Sequence, residues 1–405
     1  MNSTCPDRVR PSKRRLLLIT VADLGQLSGP AIHVLNLARH LSRPECHVTL
    51  VSPEPGGAMP VEIGSAIDHR LLPRRRARGL PAMALLPQLV ACLRTLAPPD
   101  AVYLRASVGT WPIVTFARRR WGVPVIVEYN AWFGADLAAM GRANALVSAA
   151  NWLQLREAHS ADAIRVVTHG LQAMLVERGI AAGKIRVIDN GTDLTTFEPL
   201  DQAQCRQRLG LPAEGVILGF AGNLWPALDF KTVFAAMRHL ADRGRASMLA
   251  VIGDGAGRTA FEAQARDILG AAAAVRWLGA RPPEAVNHLL NAADVVLAPF
   301  TVGRNSITGL APLKIRDCAA AGRACVATRV AGIDELQAEP WMFLAEPESP
   351  TAFAAAIEQA LAADPALLRV AARGYAEAHF DWRQVAHQVE ALAFAQQARR
   401  SPVFG

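Results

Sequence analysis

A chain of 405 residues is too long for one ordinary core, so two domains are expected. Apolar residues make up 51% and charged residues 19%, which excludes extensive disorder. The net charge of +8 points to an anionic partner, and 3 tyrosines and 6% aromatics without aromatic-basic interleaving argue against nucleic acid as that partner.

Residues 1–14 read as a basic flexible tail, with RPSKRR at 10–15. LLLITV (16–21) follows as a buried first strand. Its apolar run is too short, and too soon interrupted by Asp23, for a signal peptide. In DLGQLSGP (23–30) a Gly-rich loop leads into a helix over 30–42, and such a loop lets backbone N–H groups approach phosphate. It is not a clean GxGxxG, so it is a weak dinucleotide signal. HVTLVS (47–52) is the next strand. RRRAR (74–78) then abuts an apolar helix over 83–96, an arrangement suited to anionic lipid head groups or, alternatively, to a solvated surface.

AVYLR (101–105), PVIVEY (124–129), AIRVVT (163–168) and KIRVID (184–189) complete the first set of strands, with helices over 110–120 and 143–160. DNGTD (189–193) supplies turn residues before a polar joining segment at 195–210. The second half repeats the grammar. Its strands are VILGFAG (216–222), SMLAVIGDG (247–255), AAVRWLG (273–279), DVVLAPF (294–300), ACVATRV (324–330) and WMFLAE (341–346). Helices near 229–243, 258–270, 283–292 and 313–321 separate most of them. Strands separated by helices of this size imply parallel sheets with right-handed crossovers, hence two doubly wound α/β domains with a ligand between them.

One stretch stands out. GLAPLKIRDCAAAG (309–322) reads as a loop, a proline near the first helical turn and a helix closed by Gly322. The open N–H groups of such a helix favour an anion, with an ordinary amphipathic helix as the alternative. The six cysteines (5, 46, 92, 205, 318, 325) form no CxxC or Cys/His cluster, so a reduced cytosol and no structural metal are expected. No run reaches the length of a bilayer span.

In order and spacing these segments resemble the retaining GT-B glycosyltransferases of family four, over nearly the whole chain. SGPAIHVLNLARHLSRPECHVTLVSP (28–53) is similar to that family's opening helix and second strand, and KIRVIDNGTDLTTFEP (184–199) to its interdomain segment. RWLGARPPEAVNHLLNAADVVLAPF (276–300) resembles the region flanking the nucleotide base. FDWRQVAHQVEALAFAQQ (380–397) resembles the final helix that crosses back onto the first domain. The resemblance implies a GT-B fold of two Rossmann-like domains facing a central cleft. The N-terminal domain would span 15–198 on the acceptor side, the nucleotide-sugar domain 199–379, and the returning helix 380–405.

The family's Glu-x7-Glu motif falls on Gly309 and Asp317, and one branch instead reads Gly-Leu-Ser-Pro-Leu-Lys-x-x-Glu. GLAPLKIRD fits that branch with Gly309, Leu310, Ala311, Leu313, Lys314 and Asp317. The resemblance places Lys314 at the donor diphosphate and Asp317 at the ribose hydroxyls. Donor contacts are further implied for Gly25, Ser28, Gly29, Gly253, Gly279 and Ala280. Where the family commonly carries an Arg and a Lys, this chain has Asn223 and Leu228, which implies either that Lys231 and Arg304 neutralise the diphosphate or that donor binding is weak. Glu128, Asn130 and Arg105 are acceptor-side candidates, or else strand-end hydrogen-bonders. Lys314, Asp317, Asn130 and Glu128 are the catalytic candidates, and His169 reads as a helix-entry residue rather than a base.

The implied reaction is metal-independent glycosyl transfer from a nucleotide sugar, with no other cofactor, to a hydroxyl of a glycan or lipid-linked acceptor in polysaccharide or glycoconjugate synthesis. The implied place is cytoplasmic, with peripheral membrane contact through Arg74, Arg75, Arg76 and Arg78. A non-catalytic GT-B partner subunit and a GT-B sugar-nucleotide epimerase are the alternatives.

Overall fold

The computed structural model describes residues 13–73, 81–139, 141–270, 275–303 and 308–398. Arg74, Arg75, Arg76, Arg78, Arg304 and nearly all of the basic tail lie outside the described residues. The first unit is a parallel sheet of seven described strands: β1 (Arg14–Ile19), β2 (Cys46–Pro53), β3 (Asp68–Leu72), β4 (Ala101–Arg105), β5 (Val125–Tyr129), β6 (Ala163–Val166) and β7 (Ile185–Val187). They lie in the order β3-β2-β1-β4-β5-β6-β7. Its helices are α1 (Gly29–Leu41), α2 (Pro81–Thr95), α3 (Trp111–Trp121), α4 (Phe133–Ala139), α5 (Asn144–Ser160) and α6 (His169–Glu177).

The second unit opens with helix α7 (Gln202–Leu209), followed by β8 (Val216–Ala221), α8 (Phe230–Asp242), β9 (Ser247–Ile252), α9 (Arg258–Leu269), β10 (Val275–Trp277), α10 (Pro283–Ala292) and β11 (Val295–Ala298). It ends with α11 (Leu313–Ala320), β12 (Cys325–Thr328), β13 (Met342–Ala345), α12 (Pro350–Ala362) and α13 (Pro365–His379). The six described strands run β10-β9-β8-β11-β12-β13, all parallel. The final helix, α14 (Trp382–Ala398), leaves this unit and packs on α1 of the first.

Continuous apolar runs make the central strands because helices cover both sheet faces. Leu16, Leu17, Leu18 and Ile19 of β1 are all buried accordingly. The edge strand β3, DHRLL, has a single buried residue, Leu72, and so lacks the apolar run that marks its neighbours. Strand order reverses between β1 and β4, and again between β8 and β11. Crevices open at the carboxyl ends of strands at such switch points. The loops after β1, β8 and β11 therefore meet between the two units.

The chain passes between the units twice, and the two passages touch. Thr192 bridges to Asp381, and its N–H donates to the Phe380 carbonyl at 2.6 Å. The indole of Trp382 lies against Gly191, where a Cβ would come within 2.6 Å of the ring, so the position admits only glycine without rearrangement.

Candidate functional site: a cleft between the two units

The loops at the switch points enclose a cleft of about 730 Å³. From the first unit it is lined by Gly25, Ser28 and Gly29 of the loop entering α1, and from the second by Asn223, Gly253 and Ala280. Leu310, Leu313, Lys314 and Asp317, around the start of α11, close it. These ten sequence-derived positions are brought together.

Local geometry explains several of them. Gly253 has φ +146°, and a Cβ there would lie 1.9 Å from the Gly222 carbonyl oxygen, so only glycine allows the β8 and β9 loops to approach. Gly279 supports that turn from behind, its carbonyl accepting from Gly253 N–H at 2.9 Å. Pro312 is the N-cap of α11 and no side chain caps the helix, so the N–H groups of Leu313 and Lys314 stay open where these residues line the cleft, while Ile315 N–H turns back to the Pro312 carbonyl at 3.2 Å.

Lys314 and Asp317 stand one turn apart on α11, both half-buried. The Lys314 ammonium sits 3.8 Å from the Phe220 ring centroid and 5.4 Å from that of Phe300. Burial lowers its pKa to about 7. Asp317 accepts a hydrogen bond from Thr192 Oγ1 at 2.6 Å. Burial raises its carboxyl to about 7, against the Thr192 bond and Arg316. Beside them Arg316 makes a two-oxygen ion pair with Asp189 at 2.8 and 2.6 Å and stacks over Phe380. A cation over aromatic faces and a desolvated carboxylate, both at an uncapped helix start, suit an anion carrying hydroxyl groups.

Other expected positions fall elsewhere. Lys231, expected at the diphosphate, is exposed on the first turn of α8 and does not line the cleft. Leu228 is 7% exposed and joins the second unit's core, although it reaches the cleft wall. Gly309 adopts φ +69° against Ala331, and Ala311 accepts from Asn190 Nδ2 at 3.0 Å; neither lines the cleft. His169 begins α6, as a helix-entry residue should, with Nδ1 3.1 Å from Glu335.

The acceptor-side candidates assemble, but as a closed cluster. The Glu128 side chain has no solvent exposure. It receives Arg105 at 2.7 Å, Arg165 at 3.1 Å, His33 Nε2 at 2.8 Å, the Tyr103 hydroxyl and the Asn130 amide. Burial opposes its ionisation, yet His33 and the guanidinium groups of Arg165 and Arg105 hold the carboxyl well below the usual range. Burial pushes His33 down to about 4 against the pull of Glu128, which leaves a neutral ring donating through Nε2. The direct hold on an acceptor hydroxyl expected of Glu128 therefore does not fit its surroundings, since its oxygens are already taken. Of the three, Arg105 and Asn130 keep partial exposure.

Arg165 extends the cluster to the interdomain segment, donating to the Ile188 and Asp189 carbonyls at 3.0 and 2.7 Å. Glu128, Arg165, Asp189 and Arg316 thus run in one connected line from the first sheet to the donor-side helix. His33, Arg165, Asp189, Thr192 and Arg316 were not anticipated as site residues. The cleft's apolar walls, Phe197, Trp225 and Phe300, were missed too, because only the fold brings them together.

Comparison with known proteins decides the family. Glycosyltransferase Family 4 matches residues 27–196 and Glycosyl transferases group 1 matches residues 215–363. The chain belongs to the family 4 glycosyltransferases. Among curated members of this family, the D-inositol 3-phosphate glycosyltransferase of Corynebacterium urealyticum is 30% identical over 244 residues, 56% of each chain. That of Mycolicibacterium gilvum is 30% identical over 298 residues, 72% of this chain and 63% of the relative. The matched region thus spans only about half to two thirds of those relatives. Solved structures share the GT-B fold over nearly the full length. Sucrose-phosphate synthase from Thermosynechococcus elongatus has TM-score 0.78 at 22% identity, covering 96% of this chain and all of that one. Anabaena HepE in complex with UDP and glucose has TM-score 0.70 at 19% identity, covering 93% and 98%.

Proposed function

We propose that this family 4 glycosyltransferase moves a sugar from a nucleoside-diphosphate donor to a hydroxyl of a glycan or lipid-linked acceptor, with retention and without a metal. The observation that carries the reading is that Lys314 and Asp317 both line the cleft at the uncapped start of α11, with the Gly25–Gly29 loop lining it from the first unit. Bond breaking in such a transfer leaves charge on the diphosphate, and a fixed cation with backbone N–H donors stabilises it. The departing phosphate can itself take the acceptor's proton, so no strong base is required. Glu128 and Arg165 act behind this site, holding the interdomain segment against which α11 is braced. The UDP and glucose held by the HepE relative support the donor class. The test is release of nucleoside diphosphate that depends on an added hydroxyl acceptor, with the product's anomeric configuration read by NMR. Acceptor-independent release, or an inverted product, would contradict the proposal.

Asp317→Asn is expected to weaken nucleotide binding by about 1–3 kcal/mol at pH 8 while leaving the fold intact. The amide keeps an oxygen for Thr192 and substitutes an N–H donor where a ribose hydroxyl must also donate. Calorimetry gives the answer, and an unchanged affinity would remove Asp317 from the binding role.

A second reading, a subunit that keeps the fold without turnover, draws on Asn223, the buried Leu228 and the distant Lys231. The turnover assay separates the two. An epimerase fits less well, since the described lining holds Asp254 and Asp317 but no histidine.

The peripheral site belongs to the same proposal. No helix among the described residues is long and apolar enough to cross a membrane. Changing Arg74, Arg75, Arg76 and Arg78 to Ser should release the protein from anionic vesicles, each arginine contributing about 1 kcal/mol at low salt. Equal sedimentation of variant and wild type would leave that segment as a solvated loop.

A further inference from the structure

We infer that Thr192 is a positioning residue for Asp317, holding one carboxylate oxygen so that the cleft is offered the other. Three contacts carry this. Thr192 is 2% exposed and its hydroxyl donates to Asp317 Oδ1 at 2.6 Å. Its backbone is fixed by the second interdomain passage, through Thr192 N–H to the Phe380 carbonyl at 2.6 Å and Trp382 N–H to the Thr192 carbonyl at 3.4 Å. Asp317 Oδ2 has no hydrogen-bond partner among the described residues, and Asp317 lines the cleft. The carboxylate is therefore oriented by the segment on which the two units meet, not by its own helix.

The surroundings leave Thr192 the natural neutral donor. Arg316 faces Asp317 from α11 and favours its ionised form, while the Lys314 ammonium is turned onto the Phe220 and Phe300 rings. The passages bring Asp189, Asp193 and Asp381, but Arg316 pairs with Asp189, Arg39 with Asp193 at 3.2 Å and Arg383 with Asp381 at 2.7 Å. A hydrogen bond donated to a carboxylate favours its ionised form, so losing the Thr192 hydroxyl should make Asp317 harder to ionise.

The inference rests on the donor-site reading above, and the experiment separates the two. UDP, GDP, ADP and dTDP are titrated into wild type, and the tightest is followed from about pH 5 to about pH 9, a range that spans both groups. Wild-type affinity should fall on the acid side as Asp317 protonates, and on the alkaline side as Lys314 loses its proton. Thr192→Val should move the acid limb up by about one pH unit and leave the alkaline limb in place. Thr192→Ser should restore the wild-type profile, and Asp317→Asn should abolish the acid limb. Uniform weakening at every pH, with the limb unmoved in Thr192→Val, would overturn the inference, as would failure of Ser to restore it. Should the valine variant not fold, Thr192→Ala takes its place under the same criteria. A wild type that binds none of the four nucleotides would instead overturn the donor-site reading, and this inference with it.

Discussion

Lys314→Ala is expected to lower turnover on any accepted donor by about 100-fold or more, the scale for losing one preorganised charge contact. The ammonium rests on Phe220 and Phe300 with no ion-pair partner among the described residues, so it is held in place without being neutralised. Burial has already lowered its pKa to about 7, and a bound diphosphate would restore its charge. With Leu228 in the core and Lys231 away from the cleft, Arg281 is the other cation in the described lining, and it is exposed with its Nε turned to the Leu278 carbonyl at 2.9 Å. Melting temperature serves as the control, because the side chain borders the open cleft. Activity within about a factor of three of wild type would remove Lys314 from the chemistry.

Glu128→Gln should cost about 3–5 kcal/mol of stability, the range for leaving a buried charge without its partner. The groups around this carboxylate are all donors: Arg165, Arg105, the His33 ring, the Tyr103 hydroxyl and the Asn130 amide. Glutamine offers them one oxygen, turns an N–H group toward the rest, and strands the fully buried Arg165 guanidinium. For a domain of this size the melting temperature should drop by roughly 10 °C. A shift below about 2 °C in calorimetry would mean that the cluster tolerates loss of its anion.

What was legible from the sequence was local. Buried parallel strands read as apolar runs, so β1, β4 and β5 lie within about two residues of their expected places. Pro312 and Gly322 punctuate α11, which made Lys314 and Asp317 identifiable as neighbours on a helix start. β3 was not legible because it is an exposed edge, and α12 was not because its Ala-rich sequence offers little polar contrast. The coupling residues were illegible for a different reason. Arg165 reads as an ordinary strand residue, yet it is fully buried against Glu128, 37 positions away. Thr192 meets Asp317 across 125 positions, and only the returning chain at Phe380–Trp382 sets that contact. Glu128 was found as a polar strand end, but its partners converge from α1, β4 and β6, so its closed environment could not be read from spacing.

The most direct test of the account is thermal unfolding of wild type and Lys314→Ala with UDP-, GDP-, ADP- and dTDP-sugars, because a ligand bound to the native state raises its melting point. At least one donor should raise the wild-type melting temperature in a dose-dependent way, and the same donor should leave Lys314→Ala nearly unmoved. No shift with any donor, or an equal shift in both proteins, would contradict the assignment of this cleft as a donor site built on Lys314.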